Sequence, residues 1–455
     1  MINLSGDIMS RSLVFKLGMI AVLVLLLLIP LMRIDGLVTE RQQRRDQVVQ
    51  DIARSSSYGQ TITGPLLIVP YRKTIKSWRE DAVTHQRVAD ESEVDGELFF
   101  LPDRFTLDGT VKTEERSRGI YVARLFHANN QLSGQFHIPE KLGITEDYNL
   151  YHFGSPFVSM GISDIRGIED SLNLQFDSKL VQFEPGAKTK VLGSGVHAMT
   201  ASVDAVKAGD YPFQMQLKLQ GTNDLQITPV GRISKVILSS DWANPSFAGE
   251  YLPSERTVDS KGFRAVWNST YFSTNMQEAL NSCATNSNCG EFNNRHFGVS
   301  LIDPVDQYLK TDRATKYALL FIALTFAGFF LFEVIKRLAV HPIQYGLVGL
   351  ALALFYLLLL SLSEHISFVI SYIISATACV ALIGFYVSHV LRSMARGLGF
   401  AFSLAGLYAL LYVLLSAEDY SLLMGSILVF GLLSAVMVLT RNIDWSSLTS
   451  KQAVE

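Results

Sequence analysis

Two cysteines six positions apart, Cys283 and Cys289 in NSCATNSNCG, are the side chains best placed for bond-forming chemistry. A structural zinc site needs four ligands. The spacing is not C-x-x-C, no second pair exists, and His296 is a single further candidate ligand, so metal binding is not expected. A local disulfide closing a small Asn/Ser-rich loop is expected if this side of the membrane is oxidising, with free thiols as the alternative. Cys379 stands in an apolar run and reads as a small core residue. Signals for catalysis are thin. Gly193-Ser194-Gly195 followed by His197 reads as a small-residue turn, and Asp164, Asp224 and Asp241 stand beside turn residues. No G-x-S-x-G, P-loop or dinucleotide fingerprint occurs. In the apolar segments, Gly397-Leu398-Gly399-Phe400 lacks the aspartate of a G-x-G-D motif, and Glu364-His365 is not H-E-x-x-H. Neither an enzyme nor a cofactor is expected.

Ionisable residues beside apolar segments form the second group. Glu333 is the only acidic residue inside such a segment. Snorkelling toward water with an i,i+4 partner in Arg337 is the expected reading, and an intramembrane proton site is the alternative. Glu364 and His365 read as loop residues at the water boundary, with a pH-sensing pair as the alternative. Asp312, Arg313 and Lys316 mark a membrane junction, where Asp312 and Lys316 have favourable acid-before-base spacing. Arg41, Arg44 and Arg45 read as a solvated helix face, against a site for anionic headgroups.

The chain has 455 residues, 49% hydrophobic and 18% charged. Soluble proteins carry about 25% charge, so a membrane protein with one sizeable soluble domain is expected. The net charge of −3 has no long like-charge blocks and suggests no nucleic-acid partner. Leu13 to Met32 reads as an uncleaved signal anchor. Leu37 to Ala53 has the pattern of a helical stalk ended by Ser55-Ser56-Ser57. From Thr61 to Val305, short runs such as Pro65 to Tyr71, Glu97 to Leu101, Phe213 to Leu219 and Lys235 to Leu238 predict antiparallel strands in two packed sheets or two lobes. Five apolar segments follow: Ala314 to Ile335, Pro342 to Leu362, Ile366 to Val387, Leu398 to Leu415 and Ser421 to Thr440. Asp306 to Glu333 is expected to be one helix, wet at its start and continuing into the bilayer.

The expected fold is therefore mixed: an α-helical transmembrane bundle, with an N-terminal anchor plus five C-terminal helices, and a large β-rich antiparallel domain. The expected boundaries are 1–35 for the cytoplasmic N-terminus and first helix, 36–312 for the stalk and sheet domain, 313–440 for the five helices and 441–455 for a cytoplasmic tail. Short loops set the orientation. Lys336, Arg337, Arg392, Arg396, Arg441 and Lys451 fall on one side, while Ser363-Glu364-His365 and Ala417-Glu418-Asp419 carry no Lys or Arg. By the positive-inside rule both termini are cytoplasmic and the sheet domain lies outside.

Several long stretches resemble the CreD family of inner-membrane proteins. They include Asp306 to Glu333, His341 to His365, TRNIDW (Thr440 to Trp445), GPLLIVPY (Gly64 to Tyr71), SDIRGI (Ser163 to Ile168), LQGTNDLQITPVGR (Leu219 to Arg232) and SSDWANPSFAGEYLP (Ser239 to Pro253). The resemblance implies a bacterial inner-membrane protein with a structural or regulatory role in cell-envelope integrity and stress response. It implies no reaction, substrate or catalytic residue. The expected partners are the lipid bilayer and an envelope protein or cell-wall component bound by the sheet domain, with a transporter or lipid-handling protein as the alternative function. The sequence leaves the oligomeric state open.

Overall fold

The computed structural model describes residues 5–80, 87–200, 203–286, 289–301, 307–336, 340–416 and 421–441. Asp306, Arg337, Ala417, Glu418, Asp419 and Lys451, used above for a helix start and for loop charges, lie outside these residues, as do residues 442–445 of TRNIDW. The chain divides into two compact units, Met1–Arg45 with Val305–Glu455, and Asp46–Pro304.

The first helix, α1 (Ser5–Ser55), ends where the serine run was expected to end it. Val48, Val49 and Ile52, the apolar positions of the stalk pattern, pack on Ala123 and Leu125 within the second unit. There follow the strands β1 (Gln60–Glu80), β2 (Arg87–Phe100), β3 (Arg104–Arg118), β4 (Tyr121–Ile138), β5 (Tyr151–Phe153), β6 (Phe157–Ile162), β7 (Asn173–Phe176), β8 (Lys179–Gln182), β9 (Glu184–Pro185) and β10 (Gly195–Met199). Next come β11 (Gly209–Thr222), β12 (Asp224–Thr228), β13 (Ile233–Ser240), β14 (Pro245–Gly249), β15 (Glu255–Asp259) and β16 (Gly262–Thr270). Three short helices, α2 (Tyr271–Thr274), α3 (Met276–Asn286) and α4 (Gly290–Asn294), precede the last strand, β17 (Phe297–Leu301).

These strands make two sheets. One follows the order β14-β17-β12-β1-β6-β10-β9, with β2 and β5 also paired to β1, and the other β15-β16-β13-β3-β4-β11-β7-β8. Pairing is mostly antiparallel, but β1–β12 and β3–β13 are parallel. One apolar core draws on both sheets, with Ile62, Leu66, Ile68 and Ile227 from the first and Phe105, Leu132, Leu217 and Trp267 from the second. Each fully buried side chain of this size contributes about 1.5–3 kcal/mol. In β11 the expected alternation is met: Phe213, Met215, Leu217 and Leu219 are buried between exposed neighbours.

Several strands exceed the short runs read from the sequence. β1 has 21 residues and β4 has 18. The apolar run ending at Tyr71 was expected to be the whole strand, yet β1 continues through the charged residues Arg72, Lys73 and Lys76. It does so because β2 pairs with it from Leu67 to Glu80 and sets an acid opposite each of two bases, Asp95 opposite Arg72 and Glu91 opposite Lys76.

The other unit holds α5 (Gln307–Lys316), α6 (Ala318–Lys336), α7 (Pro342–Ser363), α8 (Phe368–Val390), α9 (Met394–Ser416) and α10 (Ser421–Thr440), together with the N-terminal part of α1. Among the described residues four helices are long and apolar enough to cross a membrane, α1, α7, α8 and α9, and the bent pair α5–α6 makes a fifth if counted as one span. At 1.5 Å per residue, the 23 residues of α8 reach about 35 Å, enough for a hydrocarbon core of about 30 Å. The core of the unit joins Leu27, Leu31 and Ile34 of α1 to Phe326 and Phe329 of α6 and to Leu352 and Tyr356 of α7.

The expected single helix through Asp306 to Glu333 is corrected. Within the described residues it bends by 45° between α5 and α6. Just before the bend, Thr311 and Thr315 turn their hydroxyls back onto the carbonyls of Gln307 and Asp312, at 2.7 and 2.8 Å. Such back-bonding competes with the helical ladder and bends helices.

Candidate functional site

A cleft of about 1,210 Å³ opens in the sheet unit, lined by β1, β2, β5, the 186–193 turn, α3 and Cys289. Side chains two apart on a strand share a face, so Glu91, Glu93, Asp95 and Glu97 form a carboxylate row along β2. Arg72 lies across from it, donating from Nε to Asp95 at 2.9 Å and standing 3.4 Å from Glu93. The hydrogen bond to Asp95, then the charges of Asp95 and Glu93, raise the Arg72 pKa. Lys76 pairs with Glu91 at 3.2 Å.

The facing turn is fixed by its buried contacts. His197 Nδ1 stands 2.6 Å from the Gly186 carbonyl, and the Ser159 hydroxyl donates to the Ala187 carbonyl at 2.6 Å. From this turn Thr189 donates to Glu97 at 2.8 Å, while Lys188 and Lys190 are exposed along the cleft. Tyr71 and Phe153 add aromatic surface, each in ring contact with Tyr151 at 5.3 and 6.1 Å between centroids. The cleft thus offers carboxylates on one wall, ammonium groups on the other, and aromatic faces beside them.

Cys283, buried in α3, and Cys289, the residue before α4, lie at disulfide-bonding distance, and both line the cleft. Cys379 is a free, buried thiol that accepts a hydrogen bond from the Tyr408 hydroxyl at 3.2 Å. Among the described residues no group of three or more His, Cys, Asp or Glu is arranged to hold a metal ion. Gly193 has a left-handed φ of 64°, in keeping with a small-residue turn.

In the helical unit the structure corrects the reading of Glu333. Its side chain is 5% exposed and does not snorkel. Lys16 of α1 donates to Oε1 at 2.6 Å, the Val340 backbone N–H donates to the same oxygen at 3.1 Å, and the Tyr345 hydroxyl donates to Oε2 at 2.8 Å. Arg337, its expected partner, lies outside the described residues. The carboxylate can be held here because α7 begins beside it, and a helix N-terminus favours a negative charge. Sequence reasoning missed Lys16 because it lies 317 positions away. A signal existed: Lys16 is the lone charge in its apolar run, Glu333 is the lone acid in its own, and the signs are opposite.

At the opposite end of these helices, Glu364 is also engaged. It stands 3.6 Å from Arg41 Nε and accepts from the Tyr308 hydroxyl at 3.3 Å, while the Arg45 guanidinium lies 5.7 Å from the centre of the Tyr308 ring. Arg41 and Arg45 therefore face protein groups. His365 is exposed. Asp312 and Lys316 make the expected pair at 2.7 Å, and Arg313 is half-buried in the last turn of α5.

Comparison with known proteins joins these features to one family. Inner membrane protein CreD of Escherichia coli (strain K12) is 37% identical over 422 residues, covering 93% of this chain and 91% of that protein. The CreD family, described as Inner membrane protein CreD, matches residues 12–446. Among solved structures, an M1 zinc metallopeptidase from Deinococcus radiodurans aligns at a TM-score of 0.21 and 10% identity, over 37% of this chain and 38% of its own. Native yeast LTA4 hydrolase aligns at 0.19 and 10%, over 37% and 26%. This chain spans well under half of either, and likeness at that level carries no argument. Family match and apolar helices agree on a multi-pass inner-membrane protein in contact with the lipid bilayer, and the resemblance read from the sequence is borne out: the chain belongs to the CreD family.

Proposed function

We propose that the chain is a non-catalytic envelope protein, with both termini cytoplasmic, whose sheet unit faces the periplasm and binds an extended peptide of mixed charge in its cleft. Through that binding it supports cell-envelope integrity and the response to envelope stress. The observation that carries this reading is the cleft of about 1,210 Å³, with its carboxylate row on β2 and Lys188 and Lys190 opposite. A peptide carrying both carboxylate and ammonium groups, from the cell wall or from an envelope protein, complements two walls of opposite sign. The orientation is supported by Arg392 in the α8–α9 turn and Arg396 in the first turn of α9, on the positive-inside rule, and by a cysteine pair of the kind that persists in oxidising compartments.

The test is photo-crosslinking in whole cells from a reactive residue placed at position 190. A reproducible adduct that is lost in a Lys188→Glu/Glu97→Lys variant is the expected result, and mass spectrometry of the adduct separates wall fragments from protein. Failure to recover any reproducible adduct would overturn the binding role. A cysteine introduced at exposed Leu180 should react with a membrane-impermeant maleimide in intact cells, and one at Met394 should not. The reverse pattern would overturn the orientation.

A further inference from the structure

α8 and α9 pack as antiparallel neighbours, and the side chains along their seam are small: Ala376, Gly384, Gly397, Ala401 and Ala405. Small residues where two helices meet bring the backbones close and leave a trough along the join. A Cβ at Gly384 would press on Ala401, and one at Gly397 on Ser388, so the contact is tight at the end near the turn between the helices. The trough encloses about 860 Å³, within the range of about 300–1,000 Å³ found for ligand pockets. It runs from Val369 in the first turn of α8, and Val413 near the end of α9, to Ser388 and Met394 at the turn.

The two ends differ in charge. Arg392 lies in the turn and Arg396 in the first turn of α9, both exposed, and among the described residues neither has a carboxylate within ion-pair distance. An apolar trough of bilayer height whose turn end is lined by Ser388, Met394 and Gly397, with the exposed Arg392 and Arg396 next to these in the chain, is complementary to a molecule with long hydrocarbon chains and a negative head. Arginine suits such a head because its planar fork meets a phosphate through two parallel hydrogen bonds.

We propose that this trough is a binding site for one anionic glycerophospholipid, its acyl chains along the α8–α9 seam and its phosphate at Arg392 and Arg396. A zwitterionic phospholipid fits the seam equally well but brings its own ammonium group to the same two cations, so the charge at the turn selects between them. The site is separate from the cleft of the sheet unit and does not rest on the function proposed for it.

The experiment uses the full-length protein, purified from a defined equimolar mixture of phosphatidylglycerol and phosphatidylethanolamine, with retained lipid counted by native mass spectrometry. The native protein should retain phosphatidylglycerol in preference. Arg392→Gln/Arg396→Gln should reduce that preference by roughly twenty-five-fold, about fivefold for each cation acting on an anionic headgroup. Arg392→Lys/Arg396→Lys should keep most of it, which separates a charge effect from misfolding. Ala405→Leu/Ala409→Leu enlarges two exposed side chains in the trough and should lower retention of both lipids. Equal retention of the two lipids by the native protein would overturn the proposal. So would an unchanged preference in the glutamine variant, or undiminished retention with the trough filled.

Discussion

Replacing Glu333 by alanine should destabilise the helical unit by about 3 kcal/mol, for reasons that can be worked through group by group. The carboxylate is 5% exposed and accepts from three donors on three elements. Its loss leaves the Val340 N–H and the Tyr345 hydroxyl buried without an acceptor, at about 1–3 kcal/mol each. Lys16 suffers less, because its side chain is 37% exposed and can turn to water. Glu333→Gln keeps an acceptor for at least one of the two neutral donors and should cost about half as much. The ionic part is then isolated by a double-mutant cycle with Lys16→Met. Unit charges at about 4 Å attract by about 4 kcal/mol at an effective dielectric of 20, but desolvation offsets most of this. Interhelical polar pairs measured within membranes average about 0.6 kcal/mol and reach about 1.7. A coupling of about 0.6–1.7 kcal/mol is therefore expected. The assay is equilibrium unfolding of the native protein, the two single variants and the double variant in one detergent. Single effects that add within about 0.5 kcal/mol would show that Lys16 and Glu333 act independently, and would refute the reasoning.

Three further outcomes follow from the sheet unit. Cys283 and Cys289 are separated by 6 positions, so opening the bond should lower stability by about 2 kcal/mol on the chain-entropy relation and loosen one wall of the cleft; unfolding of the full-length protein with and without reductant measures it, and no change would show that the bond constrains nothing. His127 is held between Glu114 and Glu169 at 2.9 and 2.6 Å. Burial pulls its pKa down, but the two carboxylates outweigh burial and the net shift is upward from 6.5. A raised folded-state value contributes stability that is full below 6.5 and lost as pH rises through the raised value. Glu169→Gln should therefore lower the melting temperature more at about pH 6 than at about pH 9, and an equal loss at both would refute the charge pairing. Gly298 in β17 lies so close to the Leu225 carbonyl of β12 that an added Cβ would collide with backbone, so Gly298→Ala should cost about 1–3 kcal/mol in the same unfolding assay.

The membrane helices were legible because a run of about twenty apolar residues has few other uses, and α7, α8 and α9 fall close to their expected limits. The strand alternation in β11 was legible for a similar reason, since the pleat writes a period of two into Phe213 to Leu219. The outer half of β1 was not. Arg72 to Glu80 has no apolar face, and it is a strand through its register with β2 along its length and with β5 at Arg72 and Lys73. The cleft was illegible because it joins residues near 72, 95, 152, 190 and 283 that no local pattern links. The cysteine pair could be read because its partners are only six positions apart in the chain. The partner of Glu333 could not be read by looking for neighbours at helical spacing, because burial and the start of α7 select a residue on a distant helix.

The parallel pairings bear on how the domain is made. The first four residues of β1, Gln60 to Thr63, are sealed on one edge by β12, whose Leu225 is opposite Gln60, and β12 is sealed in turn by β17, where Val299 is opposite Leu225. A chain emerging in order must hold β1 with an open edge until residue 228 has appeared, and β12 with an open edge until residue 301. At about 5–20 residues per second, the interval from residue 60 to residue 301 lasts roughly 10–50 seconds. Folding of the sheet is thus gated by its last strand, which ends just before α5. A truncated chain that stops short of β17 would present a bare ladder of hydrogen-bonding groups to its neighbours, the template on which chains aggregate.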